Sequence, residues 1–183
     1  MKIIYKSKIN GCYLIEHPIF DDERGNFSKV FSSFFKKKFL NNKQIKQINV
    51  SSNKKKYSLR GLHYQNPKPE YKLVKCLEGE IFDTVIDVRR GSVSFLKKEY
   101  FVLKSGLPQF LLIPENCAHG YLTLKSNSKI LYMHTNDYYE KYSKGFHYLD
   151  PLFNIKWPYK PTCISKKDAS FSFIDQKNFD GIK

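Results

Sequence analysis

Three residues near the middle of the chain carry the groups needed to move a proton next to a carbonyl. Arg60 and His63 lie in one short motif, and Lys72 follows soon after. Histidine has the side-chain pKa nearest to neutral pH, so His63 is suited to take a proton from carbon and return it. The guanidinium of Arg60 matches phosphate oxygens, and the ammonium of Lys72 could stabilise a developing oxyanion. The pattern predicts an anionic substrate that bears a carbonyl.

Short β-strands are the elements expected to position these residues. Apolar or alternating segments separated by turn signals recur along the chain, and helical periodicity is nearly absent. The predicted strands are 25–31, 45–51, 58–63, 72–77, 81–89, 100–103, 110–113, 120–123 and 129–135. Short helices are expected at 33–40 and near 166–169. Segments 72–77 and 81–89 flank Glu78 and Gly79, and they are predicted to pair as a hairpin.

Alternation along two of these segments predicts which side chains share a face. In the second hairpin segment, Asp83 and Asp87 lie on one face, which is polar enough to line a pocket. In the last predicted strand, Tyr132 and His134 lie on the same side. The pattern by itself favours a packing role for Tyr132.

Many short strands without intervening helices exclude a doubly wound parallel sheet and favour a sandwich or barrel. The length of 183 residues suits a single domain, 1–183, that can bury a sizeable core. We expect segments 140–145 and 171–183 to be the least firmly held, the second because chain ends are often loosely attached.

The formal charge of +15 requires nucleic acid to be considered as a partner. The lysines are spread along the whole chain, and no nucleic-acid-binding motif is present, so solvated loops explain basic runs such as 36–38 and 54–56 better. The four cysteines form no Cys-x-x-Cys pair, and no apolar run is long enough to span a bilayer. We therefore expect a cytoplasmic protein that contacts neither nucleic acid nor membrane.

A series of motifs in a fixed order resembles a known family. They are Asp22-Glu23-Arg24-Gly25-Asn26-Phe27, Gln47-Ile48-Asn49-Val50-Ser51, Arg60-Gly61-Leu62-His63-Tyr64-Gln65, Lys72-Leu73-Val74, Gly79-Glu80-Ile81-Phe82-Asp83, Asp87-Val88-Arg89, Ile113-Pro114, Ala118-His119-Gly120, Leu131-Tyr132, Asp137-Tyr138-Tyr139, Asp150-Pro151, Ile155-Lys156-Trp157-Pro158 and Ser165-Lys166-Lys167-Asp168. This order and spacing resemble the dTDP-4-dehydrorhamnose 3,5-epimerase family from about residue 10 to about residue 175. The resemblance implies a cupin-type double-stranded β-helix, or jelly roll, with a few short helices.

The resemblance also implies a reaction and four catalytic residues. It implies inversion of carbon 3, carbon 5 or both in a nucleoside-diphosphate 4-keto-6-deoxy sugar, through an enolate. His63 would be the base, Lys72 would stabilise the enolate oxygen, and Tyr132 would be the acid on the opposite face. Asp168 would hydrogen-bond His63 and raise its basicity. Asp83 is a competing partner for His63, because its strand could face the same pocket.

Further positions match the family's substrate-binding residues. They are Arg24, Phe27, Gln47, Asn49, Arg60, His119 and Tyr138. By resemblance Arg60 and Arg24 hold the diphosphate or nucleotide, and Arg24 is supplied across the interface of a homodimer in which N-terminal strands are exchanged. For His119 and Asn49 a structural role is nearly as strong an alternative. The resemblance implies neither a cofactor nor a metal, although His63, His119 and a carboxylate could in principle form a cupin metal site.

Several alternatives stay open at this point. Ser28 and Lys29 stand where the family commonly has a glutamate that helps to read the nucleotide, so dTDP and GDP are both candidates. The sequence leaves equally open whether the sugar is a hexose or a heptose and whether carbon 3 alone or carbons 3 and 5 are inverted. It also leaves open which polysaccharide pathway the protein serves. The alternative activities are a nucleotide-sugar 3,4-ketoisomerase and a noncatalytic cupin that binds sugar nucleotides or polyanions.

Overall fold

The computed structural model describes all residues from Met1 to Lys183, and strands make up most of its regular structure. The strands are β1 (Lys2–Lys6), β2 (Tyr13–Glu16), β3 (Ile19–Asp22), β4 (Gly25–Ser28), β5 (Gln47–Asn53), β6 (Ser58–Gln65), β7 (Lys72–Glu78), β8 (Glu80–Asp87), β9 (Lys98–Lys104), β10 (Gln109–Ile113), β11 (Cys117–Thr123), β12 (Ser128–His134), β13 (Ser143–Gly145) and β14 (Cys163–Ile164). The helices are α1 (Ser33–Phe39), a 3₁₀ turn (Glu140–Tyr142) and α2 (Lys166–Ala169). The all-β prediction is confirmed.

Two sheets face each other across the molecule. The first has the strand order β1-β2-β10-β7-β12-β5, and the second has the order β13-β6-β11-β8-β9, with β14 added beside β6. Strands β3 and β4 form a separate two-stranded hairpin. Consecutive strands often lie in opposite sheets, as expected of a jelly roll.

The predicted hairpin between segments 72–77 and 81–89 is wrong. Strand β7 pairs with β10 and β12 in the first sheet, whereas β8 pairs with β9 and β11 in the second. Gly79 has φ +79°, which lets the chain pass from one sheet to the other between these strands. Val74 of β7 and Ile81 of β8 both pack in the core between the sheets. The local pattern is therefore the same for a hairpin and for a crossing, and long-range pairing decides between them.

Three apolar clusters hold these layers together. The first lies between the sheets and includes Val74, Val85 and Ile130. The second packs α1 through Phe35 on the outer face of the first sheet, and the third covers the outer face of the second sheet with residues such as Phe153. Ser32 caps α1 by accepting a hydrogen bond from the backbone of the helix. Both outer faces are covered, which leaves the space between the sheets for a cavity.

The segments expected to be loosely held are tied to the second sheet. Strand β13 pairs with β6, and Ile182 forms a bridge with Arg89 next to β8. The sequence gives little sign of this, because these contacts use backbone groups. None of the helices has the length and apolar character that a membrane crossing would require.

Candidate active site

A cavity of about 680 Å³ opens between the two sheets. It is lined by His63 from β6, Lys72 from β7 and Tyr132 from β12, together with Asp168 from α2. Four elements, from residue 58 to residue 169 of the chain, therefore bring together the four residues predicted to be catalytic.

His63 and Asp168 form a hydrogen-bonded pair at the wall of this cavity. The distance from His63 Nε2 to Asp168 Oδ1 is 2.7 Å. Because an ionised carboxylate can only accept, Nε2 carries the hydrogen and Nδ1 keeps its lone pair. The His63 side chain is 38% exposed, while the Asp168 side chain is 6% exposed. The imidazole is thus accessible to a ligand, and its partner is protected from solvent.

Hydrogen bonds to its carboxylate and to its backbone amide hold Asp168 in place. The backbone amide of Gly61 donates to Oδ2 over 3.1 Å, and Ser165 caps α2 by accepting from the Asp168 amide. Burial acts to raise the pKa of Asp168, but the hydrogen bond and charge of His63 and the Gly61 amide lower it below its ordinary value. Asp168 is therefore ionised beside the imidazole at neutral pH.

A close backbone approach positions β6 next to β11. A Cβ atom placed on Gly61 would lie 2.6 Å from the Cα of Gly120 and 2.7 Å from the carbonyl oxygen of His119. Gly61 also has φ +115°, a conformation that residues with a side chain rarely adopt. Glycine at both positions lets His63 and His119 pair across the two strands.

Lys72 is the buried cation of the cavity. The whole residue is 8% exposed. The Lys72 Nζ lies 3.4 Å from the carbonyl oxygen of His63 and 3.5 Å from a carboxylate oxygen of Glu70. The ammonium of Lys72 is therefore held next to the backbone that carries the imidazole.

Tyr132 lies in the first sheet, on the wall opposite β6. Burial, reinforced by the neighbouring Tyr121, raises the pKa of Tyr132 well above its ordinary value. The ring packs edge-on against His119, with 6.4 Å between the ring centroids. A neutral phenol at this place can donate a proton to a ligand held between the sheets.

The alternative pairing of Asp83 with His63 is wrong. Asp83 instead accepts from His119 Nε2 over 2.8 Å, and both side chains are almost fully buried. Burial raises the pKa of Asp83, although His119 opposes this effect. The two imidazoles therefore have separate carboxylate partners, one for each histidine.

A metal site built from these histidines would need a third ligand close by. No group of three or more His, Cys, Asp or Glu side chains in the chain is arranged to hold a metal ion. The predicted absence of a metal stays a prediction.

The predicted substrate-binding residues divide into three groups. Asn49, Arg60, His119 and Tyr138 line the cavity. Gln47 lies behind this lining, where it donates to Asn49 over 3.0 Å and accepts from the Tyr138 amide over 2.7 Å.

Arg24 and Phe27 lie outside the cavity of their own chain. Arg24 is at the tip of the β3–β4 hairpin and forms an exposed ion pair with Asp22. Phe27 is 68% exposed. Within one chain, the structure does not bring these two residues to the other site residues.

One rim of the cavity is basic. Lys54, Lys55 and Lys167 join Arg60 in its lining, and all four residues are exposed. Part of the basic run 54–56 is thus attached to the site rather than to a remote loop. Arg60 is oriented by a 2.8 Å hydrogen bond to Asn53.

Sequence reasoning missed two polar residues of the cavity wall. Glu70 and His134 both line the cavity and are hydrogen-bonded to each other over 3.0 Å. His134 lies two positions after Tyr132 on the same strand, so the alternation along β12 was the available signal.

Comparisons with known proteins agree with this architecture. The family model described as dTDP-4-dehydrorhamnose 3,5-epimerase matches residues 6–176. The dTDP-4-dehydrorhamnose 3,5-epimerase of Shigella flexneri is 34% identical over 179 residues, which are 96% of this chain and 98% of that protein.

Solved structures give the same result. The dTDP-6-deoxy-D-glucose-3,5-epimerase of Legionella pneumophila, in complex with dTDP-4-keto-L-rhamnose, has a TM-score of 0.90 and 32% identity, and the match covers 100% of this chain and 98% of that one. A 3'-monoepimerase from Streptomyces bikiniensis, in complex with dTDP-quinovose, has a TM-score of 0.85 and 25% identity, with 93% and 87% covered.

The jelly roll, with its cavity between the sheets and its histidine–carboxylate pair, defines an isomerase of the cupin type. These relatives include enzymes named for inversion at two carbons and an enzyme named for inversion at one. The chain belongs to the dTDP-4-dehydrorhamnose 3,5-epimerase family, and it is an epimerase of nucleotide sugars.

Proposed function

We propose that this epimerase inverts carbon 3, carbon 5 or both in a dTDP-linked 4-keto-6-deoxy sugar, with His63, Lys72, Tyr132 and Asp168 as its catalytic group. The observation that carries this proposal is the His63–Asp168 pair at the cavity wall, with Lys72 beside it and Tyr132 on the facing sheet. The dTDP-linked ligands named for the two solved relatives support the choice of nucleotide.

His63 is the base in this proposal. Its Nδ1 lone pair takes the proton from the carbon next to the C4 ketone, and the ionised Asp168 stabilises the resulting imidazolium. The electron pair of the C–H bond forms a double bond to C4, and the π pair of the ketone moves onto the C4 oxygen, which gives an enolate. Because carbons 3 and 5 both flank C4, one base could act at both after a modest repositioning of the ring.

Lys72 and Tyr132 complete the reaction. The Lys72 ammonium receives the charge that develops on the C4 oxygen. The neutral phenol of Tyr132 then donates its proton to carbon from the other sheet, opposite to His63, and this inverts the centre. The phenolate and the imidazolium return to their starting states by proton exchange with solvent before the next turnover.

The basic rim is suited to the diphosphate. Arg60, Lys54, Lys55 and Lys167 place positive charge in the lining of the cavity. A positive field of this kind also speeds the approach of an anionic substrate. We assign Asn49, His119 and Tyr138, which line the cavity, and Gln47 behind them to the sugar and the nucleoside.

A homodimer would complete the site with Arg24 and Phe27. Strand β1 is already paired with β2 of its own chain, so the hairpin β3–β4 is the segment left to cross to a partner. This hairpin exposes Phe27, and the free edge strand β5 exposes Ile48 and Val50. Apolar groups exposed on both a projecting hairpin and a sheet edge support an exchange of strands between two copies.

Deuterium exchange tests the reaction directly. The protein is incubated in deuterated water with dTDP-4-keto-6-deoxyglucose and, in parallel, with GDP-linked 4-keto sugars, and the protons at carbons 3 and 5 are followed by NMR. We expect exchange at one or both carbons with the dTDP-linked sugar. The absence of exchange with every sugar would refute the proposal, and a product with a moved carbonyl would indicate a 3,4-ketoisomerase.

Replacement of the base separates catalysis from binding. His63→Asn should lower the exchange rate by roughly 10²–10⁴-fold, the usual contribution of a general base. Binding of dTDP, measured by calorimetry, should change little. Unchanged turnover in this variant would favour a protein that only binds sugar nucleotides.

A further inference from the structure

A second carboxylate–imidazole pair lies in the wall of the same cavity. Glu70 Oε2 is 3.0 Å from His134 Nδ1, and Glu70 Oε1 is 3.5 Å from Lys72 Nζ. The side chain of Glu70 is 10% exposed and that of His134 is 13% exposed. One buried carboxylate therefore bridges the imidazole and the ammonium proposed to receive the enolate charge.

The charge of Glu70 fixes how His134 presents its ring. Burial acts to raise the pKa of Glu70, but the hydrogen bond from His134 and the charge of Lys72 lower it below its ordinary value. The carboxylate is then an acceptor only, so Nδ1 of His134 carries a hydrogen. With the hydrogen on Nδ1, Nε2 is the ring atom that offers a lone pair in the uncharged imidazole, and its hydrogen-bonding capacity is not used within the chain.

The position of His134 places that lone pair beside the reacting part of the cavity. His134 is directly opposite Lys72 in the β12–β7 ladder. Its ring also stacks on that of Tyr132, with 5.9 Å between centroids and an angle of 24° between the ring planes. Both neighbours are groups that, in the proposed function, act on C4 or on the carbon next to it.

We propose that His134, oriented by Glu70, is a specificity-determining residue that accepts a hydrogen bond from a sugar hydroxyl near the C4 ketone. This inference rests on the proposed function, because that function places the sugar between Lys72 and Tyr132. The ligand class is a 4-keto sugar that retains a hydroxyl on carbon 2 or carbon 3.

A packing role alone does not account for this pair. An apolar ring at position 134 would stack on Tyr132 equally well, whereas a buried carboxylate with an imidazole bonded to it carries a desolvation cost. Polar groups in ligand sites are few and fix the orientation of the ligand. A site built to hydrogen-bond a hydroxyl also rejects analogues without it, because the buried polar atom is then left unpaired.

The test uses a variant that lacks the ring nitrogens of His134 and compares its activity on three sugars. His134→Phe keeps an aromatic ring against Tyr132 but has no acceptor. We measure kcat/KM for deuterium exchange, at whichever of carbons 3 and 5 the wild-type protein exchanges, with the parent dTDP-4-keto-6-deoxyglucose and with its 2-deoxy and 3-deoxy analogues. We expect a loss of about tenfold on the parent, the size of one hydrogen bond, and no loss on the analogue that lacks the contacted hydroxyl.

Two carboxylate variants serve as a matched pair. Glu70→Gln keeps an acceptor for Nδ1, but its amide can also donate and so select the other tautomer of His134. It should reduce the discrimination between parent and analogue. Glu78→Gln makes the same change on β7, in an exposed ion pair with Lys129, and should leave discrimination unchanged.

The outcomes separate this inference from the proposed function. Suppose that wild-type protein exchanges protons of the parent sugar, and that His134→Phe lowers kcat/KM equally for all three sugars or for none of them. The specificity role is then wrong, while the proposed function stands. A loss as complete as that of His63→Asn would make His134 catalytic and would also overturn the inference. If wild-type protein exchanges no sugar, both proposals fail. His134→Gln, which retains an acceptor, should keep part of the discrimination and guards against a folding defect.

Discussion

Two histidine–carboxylate pairs of the cavity contain the same groups but differ in environment. The His63 side chain is 38% exposed, and the pKa of its partner Asp168 is lowered. His119 and its partner Asp83 are both buried, and the pKa of Asp83 is raised. A base has to reach its substrate and needs an ionised partner to stabilise its cationic form. These requirements favour His63 as the base and leave His119 to orient the sugar.

Asp168→Asn tests the electrostatic part of that argument. The amide can still accept from His63, but it carries no charge to stabilise the imidazolium. We expect kcat to fall by about 10²-fold or more, with KM nearly unchanged, because the lost interaction strengthens in the transition state. Steady-state kinetics of the epimerisation would measure this split.

A charged replacement at the same position provides the control. Asp168→Glu restores the negative charge on a longer side chain and should recover part of kcat. Thermal unfolding of both variants reports on the Gly61 contact, which the carboxylate also makes. If Asp168→Asn kept full kcat, Asp168 would be a structural link between α2 and Gly61 of β6 and not a partner in proton transfer.

At the scale of elements, the contact between β6 and β11 holds both site histidines in place. Gly61→Ala would put a methyl group into the backbone of Gly120 and would force an unfavourable φ. Strain and overpacking together should lower the free energy of unfolding by roughly 2–5 kcal/mol. Activity should fall as well, because His63 follows two residues later on the same strand.

Gly106→Ala separates the two causes. Gly106 also has a positive φ, +83°, but a methyl group added to its Cα would have no other atom within 4 Å. This variant should lose about 1–2 kcal/mol from backbone strain and retain activity. Denaturant unfolding measures both changes. Equal losses in the two variants would show that the close approach of β6 and β11 contributes nothing.

The elements themselves were largely predictable, whereas their partners were not. Short apolar or alternating segments bounded by turn signals located β6, β7 and β12, because these are local features of the sequence. The choice between a hairpin and a crossing at Gly79 depends on strands distant in the sequence, so the local prediction failed there.

The same distinction holds for the site. Asp168 was assigned to His63 by resemblance, and the structure shows the contact. Glu70 and His134 form no local sequence motif, because their contact joins a residue just before β7 to the last residue of β12. Short strands such as β13 were missed, since three residues are too few to show a period.

At the scale of the whole molecule, the core between the sheets draws on strands from both halves of the chain. Ile9 and Ile130 pack in the same cluster, and the C-terminal Ile182 contacts the second sheet. We infer that residues 1–183 form one domain. The hairpin β3–β4 is the exception, because its exposed Phe27 contributes to none of the three clusters.

Subunit complementation tests whether this hairpin serves a neighbouring site. Arg24→Ala should weaken substrate binding by about 10-fold or more, the loss expected for a charge-assisted contact, and His63→Asn should lower turnover by roughly 10²–10⁴-fold. The two variants are co-expressed with different tags, and the mixed dimer is isolated by both tags. If Arg24 acts across the interface, one of the two sites in the mixed dimer combines an intact His63 with an intact Arg24.

At substrate concentrations below KM the mixed dimer should then show about half of the wild-type activity, as expected from two-fold symmetry. A mixed dimer of wild-type and His63→Asn subunits sets the reference for one active site. Activity no higher than that of Arg24→Ala alone would mean that Arg24 serves its own chain, and a monomeric active protein would exclude the exchange altogether.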